Sequence, residues 1–360
     1  MRIAIVTDAW HPQVNGVVTT LSRTSAVLGE AGHEVLVINP GMFKTLPCPT
    51  YPEIRLAMLP GRRIRQLLDA FAPDAIHLVT EGVLGWSARA YCLKNGLRFT
   101  TSYHTRFPEY VRLRAPVPLR LTYAYMRKFH SAATRTMVVT DGLKDELTQY
   151  GFRNLTLWSR GVDTEIFKPR LKVFLADPRP IFMFVGRVAV EKNIEEFLRL
   201  ELDGTKYVVG DGPALKEMRA KYPGVRFTGY KKGEELARHL AAADVFVFPS
   251  RTDTFGLVML EALACGVPVA AFPVTGPKNI IRQGVTGILS DDLRQAANEA
   301  LVLDGGLCRA FAENFSWERC TSQFFNNLCI PAARKNRVSI AEMLRRPDPV
   351  SCQRSLKERG

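Results

Sequence analysis

Short β-branched runs alternate with helical stretches along most of this chain, and the alternation runs through twice. Arg2–Thr7 (RIAIVT) reads as a strand, His11–Gly16 (HPQVNG) as a turn, and Val17–Ala31 as a helix with Val17, Leu21, Ala26 and Leu28 available for burial. Gly32 stops that helix and Glu34–Ile38 (EVLVI) is the next strand. Further strands are predicted at Ala75–Val79, Arg98–Ser102 and Met137–Thr140, with helices at Ile64–Phe71 and Gly82–Asn95. A second series starts near Pro180. Its strands are Ile181–Val185, Lys206–Val209, Val225–Thr228, Val245–Pro249 and Val267–Phe272, separated by helices at Ile194–Glu201, Ala214–Lys221, Glu234–Ala243 and Gly256–Ala264. Short apolar strands, each followed by a helix, belong in parallel sheets covered on both faces. The fold class is α/β, with two such sheets and a hinge in the proline-bearing stretch near Pro169–Pro180.

The length of 360 residues suits two domains. They are placed at 1–168 and 169–315, followed by a helix from Ser316 and a tail, 331–360, with eight Lys/Arg against three Asp/Glu. The seven cysteines are scattered, with no C-x-x-C pair, which reads as reduced and mostly buried thiols in a cytoplasmic protein. No stretch has the apolar length of a membrane span, and the N-terminus does not read as a leader. The formal net charge of +14 admits nucleic acid, an anionic membrane or an anionic small substrate, and composition does not choose among them.

Ligands of open parallel sheets sit outside the carboxyl ends of the strands, so the loops there carry the candidate chemistry. Asp8–Gly16 follows the first strand, and Asn15-Gly16 opens a helix whose N–H groups suit a phosphate or an acceptor, or simply make an ordinary turn. There is no G-x-G-x-x-G, so a dinucleotide cofactor is unsupported. Arg187 and Lys192 lie on the loop after Ile181–Val185, as diphosphate-neutralising cations or as a solvated loop. Gly210, Asp211 and Gly212 form a turn with Pro213. The strongest block is Pro249–Ala271. Here Asp253 and Glu261 stand eight apart around a helix start made by Thr254, Phe255, Gly256 and Leu257, whose free N–H groups fit phosphate or sugar oxygens. Tyr103 and His104 follow the strand ending at Ser102, where a histidine belongs in the cleft or packs against it.

In this order the loops resemble those of glycosyltransferase family 4, retaining enzymes of the two-Rossmann GT-B architecture. The likeness covers about Met1 to Leu328 and is greatest to bacterial GDP-mannose-dependent α-mannosyltransferases and related glycolipid-forming enzymes. It implies that Asp253 and Glu261 match the family's E-x7-E element, the first acid on the donor sugar and the second on the ribose. Asp253 is one methylene shorter than the family's Glu and keeps the carboxylate. Arg187 and Lys192 match the diphosphate-binding pair, Gly16 the N-terminal glycine loop, and His104 the histidine near the anomeric centre. Gly210, Asp211 and Gly212 match the segment near the base, and Asp8, Asn15 and Tyr103 fall on the acceptor side with His104. Ser316–Leu328 resembles the helix that crosses back to the first domain.

The resemblance implies a donor, GDP-mannose or a UDP-sugar, a lipid or glycan acceptor, no required metal or other cofactor, and no nucleic-acid partner. No Asp-x-Asp is present, and Asp291-Asp292 read as loop acids. A nucleotide-sugar epimerase or a basic nucleic-acid-binding protein is the alternative. Arg106–Arg135 has seven Lys/Arg and one acid, interleaved with Phe107, Tyr110, Leu113, Leu121, Tyr123, Tyr125, Met126 and Phe129. That pattern fits peripheral contact with an anionic membrane, or a helix packed on the sheet with a solvated basic face.

Overall fold

The two series of strands form two separate six-stranded sheets, each entirely parallel. The computed structural model describes residues 1–13, 15–48, 51–112, 115–253 and 255–330. In the first half the strands are β1 (Arg2–Val6), β2 (Glu34–Ile38), β3 (Thr45–Cys48), β4 (Tyr51–Ala57), β5 (Ala75–Leu78), β6 (Thr100–Ser102), β7 (Arg135–Val138) and β8 (Leu155–Leu157). The sheet order is β2-β1-β5-β6-β7-β8, with β3 and β4 set aside as an antiparallel hairpin. The second half holds β9 (Ile181–Val185), β10 (Thr205–Val209), β11 (Arg226–Gly229), β12 (Val245–Phe248), β13 (Val269–Ala271) and β14 (Gly287–Leu289), ordered β11-β10-β9-β12-β13-β14. Strand order reverses between β1 and β5 and again between β9 and β12, and a crevice opens beyond the carboxyl ends at each such point.

Burial explains the strand composition. β9 (IFMFV) and β12 (VFVF) are buried along their whole length, because helices cover both faces. One apolar cluster runs without a break from Tyr123 and Leu147 in the first half to Met259 and Leu263 in the second. Helix Trp317–Asn327, capped by Ser316 Oγ accepting the Arg319 N–H at 3.2 Å, then returns to the first half. Its Trp317, Phe324 and Phe325 pack with Ile5, Leu21 and Trp158, each such buried side chain contributing roughly 1.5–3 kcal/mol. Asn327 Nδ2 donates to the Leu157 carbonyl at 2.6 Å, and Thr156 Oγ1 donates to Asn327 Oδ1 at 3.0 Å. A Cβ at Gly161 would come within 2.7 Å of the Trp317 ring, so this crossing needs glycine there.

Several expectations move. Strands β8 and β14, with three residues each, and the β3–β4 hairpin lie in stretches to which the sequence assigned no element. The paired acids lie in the bend expected of them, and Asp292 also caps helix Leu293–Ala300, accepting the Arg294 and Gln295 N–H groups. In helix Leu119–His130, Tyr123, Met126 and Phe129 turn into the core, while Leu121 and Tyr125 stay outside, as does Phe107 of helix Phe107–Arg112. Cys92, Cys265, Cys308 and Cys320 are buried as single thiols, in keeping with the expectation. The tail, 331–360, lies outside the described residues.

Candidate functional site

In the second half the loop after β9 and the loop after β10 zip together through the backbone. The Val188 N–H donates to the Asp211 carbonyl at 2.9 Å, and the Gly186 N–H to the Val209 carbonyl at 3.0 Å. A Cβ at Gly210 would lie 1.9 Å from the Gly186 carbonyl oxygen, and one at Gly212 2.4 Å from that of Val188. These glycines permit backbone contact that any side chain would prevent. Asp211 sits exposed at the loop tip, its Oδ1 accepting the Gly212 N–H at 2.6 Å.

The same loop continues to Arg187, half-buried, and to Lys192, at the end of a 3-10 turn, Val190–Lys192. Lys192 Nζ donates to Asp253 Oδ1 at 2.6 Å. Burial works against the Lys192 charge, but Asp253, Tyr110 and Glu191 outweigh it and hold the ammonium above its usual range. Asp253 Oδ2 is buried and has no hydrogen-bond partner among the described residues. A buried carboxylate oxygen is costly to leave unpaired, which marks this atom as a candidate for accepting a hydrogen bond from a ligand.

Beyond Asp253 the chain enters helix Leu257–Ala264 through Gly256, whose φ of +89° favours glycine and whose position offers no side-chain cap. The Met259 N–H closes on the Gly256 carbonyl at 2.9 Å, while no side-chain cap at Gly256 takes the N–H groups before it. Phe255 is buried beneath them, and Thr254 lies outside the described residues. Glu261, one turn further in, accepts no hydrogen bond from the described residues, and burial pushes its carboxyl up to about 7.

The first half meets this surface across the cleft. Gly16 faces Leu257, and a Cβ there would lie 3.3 Å from Leu257 Cδ1. Here the expected open helix start is corrected: Asn15 Oδ1 accepts both the Val17 and Val18 N–H groups at 3.0 Å, so the turn caps itself. Asp8 is likewise occupied. Its carboxylate accepts from Thr80 Oγ1 at 2.8 Å and from the Leu84 N–H at 3.0 Å, tying β1 to helix Val83–Lys94. Burial raises its pKa, with those donors opposing. Tyr103 is also corrected: it is 1% exposed, packed edge-to-face on Phe152, with its hydroxyl inside the core. The next residue, His104, is buried as well, at 9% exposed. The His104 Nε2 is 2.7 Å from Ser102 Oγ, and its Nδ1 accepts from Arg160 Nη2 at 3.0 Å.

The structure adds residues that spacing did not mark. Tyr110, on helix Phe107–Arg112, bonds Thr252 and stands against the Lys192–Asp253 pair; burial, Asp253 and Glu191 raise its pKa while Lys192 opposes. Arg106 reaches Glu146 and donates to Thr275 Oγ1 at 2.8 Å across the cleft. The Gly142 N–H donates to Asn279 Oδ1 at 3.3 Å. Single residues whose partners are more than a hundred positions away leave no periodic signal. Among the described residues, no group of three or more His, Cys, Asp or Glu is placed to hold a metal ion. In the same residues no helix is long and apolar enough to cross a membrane.

Comparison with known proteins covers both halves. A family model described as Glycosyltransferase Family 4 matches residues 14–166, and one described as Glycosyl transferases group 1 matches residues 179–303. The Mycolicibacterium smegmatis protein named GDP-mannose-dependent alpha-mannosyltransferase is 32% identical over 317 residues, 81% of this chain and 84% of that one. The alpha-monoglucosyldiacylglycerol synthase of Streptococcus pneumoniae is 28% identical over 350 residues, 84% of this chain and 78% of its own. Among solved structures, sucrose-phosphate synthase from Thermosynechococcus elongatus superposes with a TM-score of 0.74 at 21% identity, over 90% of this chain and 97% of that one. At that identity the likeness speaks for the fold.

Proposed function

The chain belongs to glycosyltransferase family 4, and from that premise we propose that it moves a mannose- or glucose-type hexose from a nucleoside diphosphate sugar to a hydroxyl of a lipid or glycan, with retention at the anomeric carbon. The observation that carries the reading is the second half's surface: the Lys192–Asp253 pair, an Oδ2 with no partner among the described residues, and a helix Leu257–Ala264 with no side-chain cap. A diphosphate leaving group gains negative charge as its bond to the sugar breaks. Arg187, Lys192 and the Leu257 end of the helix supply donors and positive potential for that charge. These groups do the work a metal would do, so none is required in this reading. Asp253 Oδ2 takes a sugar hydroxyl, and the Glu261 carboxyl takes the ribose hydroxyls. The acceptor oxygen attacks on the face the diphosphate leaves, and its proton passes to the departing phosphate.

The proposed division is 1–168 for acceptor binding, 169–315 for the donor, and the helix from Ser316 as the strap between them. GDP-mannose is the favoured donor because of the alpha-mannosyltransferase relatives, and a glycolipid acceptor because of the diacylglycerol enzyme. Peripheral binding to the cytoplasmic face of a membrane completes the reading. It is supported by exposed Phe107, Leu121 and Tyr125 on a segment with seven Lys/Arg. The test is to incubate the chain with GDP-mannose or UDP-glucose, with and without diacylglycerol or phosphatidylinositol vesicles. Acceptor-dependent release of nucleoside diphosphate with a glycosylated lipid supports it. Nucleotide release with free sugar and no acceptor dependence refutes it.

A further inference from the structure

Arg160 is a buried arginine with no carboxylate partner among the described residues. It lies in the segment leaving β8, over the Trp158 ring at 4.7 Å, and donates to the Trp158 and Ser159 carbonyls at 2.9 and 3.1 Å. Its remaining arm points to His104 Nδ1 at 3.0 Å. A buried charge of this kind is expensive, and burial pulls the guanidinium down to about 10, still a cation at neutral pH.

The consequence for His104 follows from donor and acceptor chemistry. A guanidinium only donates, so His104 Nδ1 must present its lone pair. The ring proton is then on Nε2 and donates to Ser102 Oγ at 2.7 Å. Ser102 in turn donates to His77 Nε2 at 3.0 Å, which leaves the His77 proton on Nδ1 for Thr100 Oγ1 at 2.8 Å. One polarity therefore runs from Arg160 through His104 and Ser102 to His77, under the cleft floor, and the arginine sets it.

We propose that Arg160 is a positioning residue: it locks the His104 ring in the neutral Nε2–H tautomer, so that His104 serves the cleft as a fixed wall and does not shuttle a proton. The proposal rests on the reading of His104 as a residue of the reacting cleft. The charged and titratable neighbours that face His104 among the described residues agree with the lock. Burial first, then Arg160, then His77 on β5 and His130 on helix Leu119–His130 all keep His104 from gaining a second proton, holding its pKa well below the usual range. His130 is itself 3.0 Å from Glu81, and Cys320 of the return helix stands near Arg160 as a thiol that burial pushes up to about 11.

The test is nitrogen-15 NMR of the histidine side chains in the full chain, with His104→Asn assigning the resonance. In the wild type the His104 signal is that of the Nε2–H tautomer and does not titrate between about pH 5.5 and 8.5. In Arg160→Met the tautomer is released, and kcat falls about tenfold or more while the donor KM changes by less than about threefold. Arg160→Lys, which still donates, restores the tautomer and most of the turnover. Should the methionine variant fail to fold, Arg160→Gln serves, since an amide can also accept and cannot enforce the lock. An Nδ1–H tautomer in the wild type, or an unchanged His104 spectrum in the methionine or glutamine variant, overturns the proposal. So does lost turnover with the tautomer intact. A released tautomer with undiminished turnover instead overturns the placement of His104 at the reacting centre and leaves the bond from Arg160 standing.

Discussion

At Asn15–Gly16 the first half turns from loop into helix, and at Phe255–Leu257 the second half does the same. The two turns face each other across the cleft with Gly16 against Leu257. In the first, the Asn15 side chain takes the Val17 and Val18 N–H groups. In the second, Gly256 has no side chain to offer, and among the described residues no side chain caps the helix that follows the Lys192–Asp253 pair. Free N–H groups and cations form an anion site only where the protein leaves them unspent. In the proposed reading this difference is why the diphosphate binds the second half, with the first half as a close-fitting wall.

The largest effect should come from removing the charge. Lys192→Ala or Arg187→Ala is expected to lower kcat/KM about 100- to 1000-fold with the fold retained, as for loss of a donor that stabilises transition-state charge. Wild-type-like turnover together with an unchanged circular dichroism spectrum would place the diphosphate elsewhere. Next comes the turn itself. Gly256→Val must adopt φ +89° and bring a Cβ to 2.8 Å from Met259 Cε and 3.0 Å from Phe248 Cζ. A drop of tens-fold in turnover with a lower melting temperature is predicted, and a neutral outcome would deny that the open helix start matters.

Glu261 gives a pH signature. Its folded pKa of about 7 exceeds the ordinary 4.5, so the folded chain holds the proton longer than the unfolded one. Its stabilising contribution is complete below about 4.5 and is lost as pH rises through about 7. Melting temperatures of wild type and Glu261→Gln measured from pH 4 to 8 should therefore diverge, the wild type losing ground toward pH 7. Parallel curves would mean that Glu261 is solvated. The smallest effect is expected at the capped turn: Asn15→Ala should cost about 1 kcal/mol of stability, read by denaturant unfolding, and change turnover only a few-fold. A hundredfold loss of turnover would erase the contrast between the halves.

How much of this was legible in the sequence depends on range. Ile181–Val185 and Val245–Phe248 announce themselves because both faces of a parallel strand are buried, leaving an unbroken apolar run. The Asp253 and Glu261 spacing is visible because one helix start carries both. Leu155–Leu157 and Gly287–Leu289 are too short to show a period, and β4 begins at Tyr51-Pro52, where proline discourages a strand reading. Tyr103 and His104 are adjacent and both buried, and only the fold shows that Tyr103 packs on Phe152 while His104 bonds Ser102 and Arg160. Tyr110, Arg160 and Arg106 are single residues whose roles come from partners brought near by the fold.

Thermal shift with nucleoside diphosphates addresses the division of labour between the halves most directly. GDP or UDP at about 100 times its Kd should stabilise the wild type by about 2.7 kcal/mol. The account predicts that Asn15→Ala keeps this shift and that the Arg187→Ala, Lys192→Ala double variant loses it. Loss in Asn15→Ala with retention in the double variant would contradict it, and would move the diphosphate to the first half.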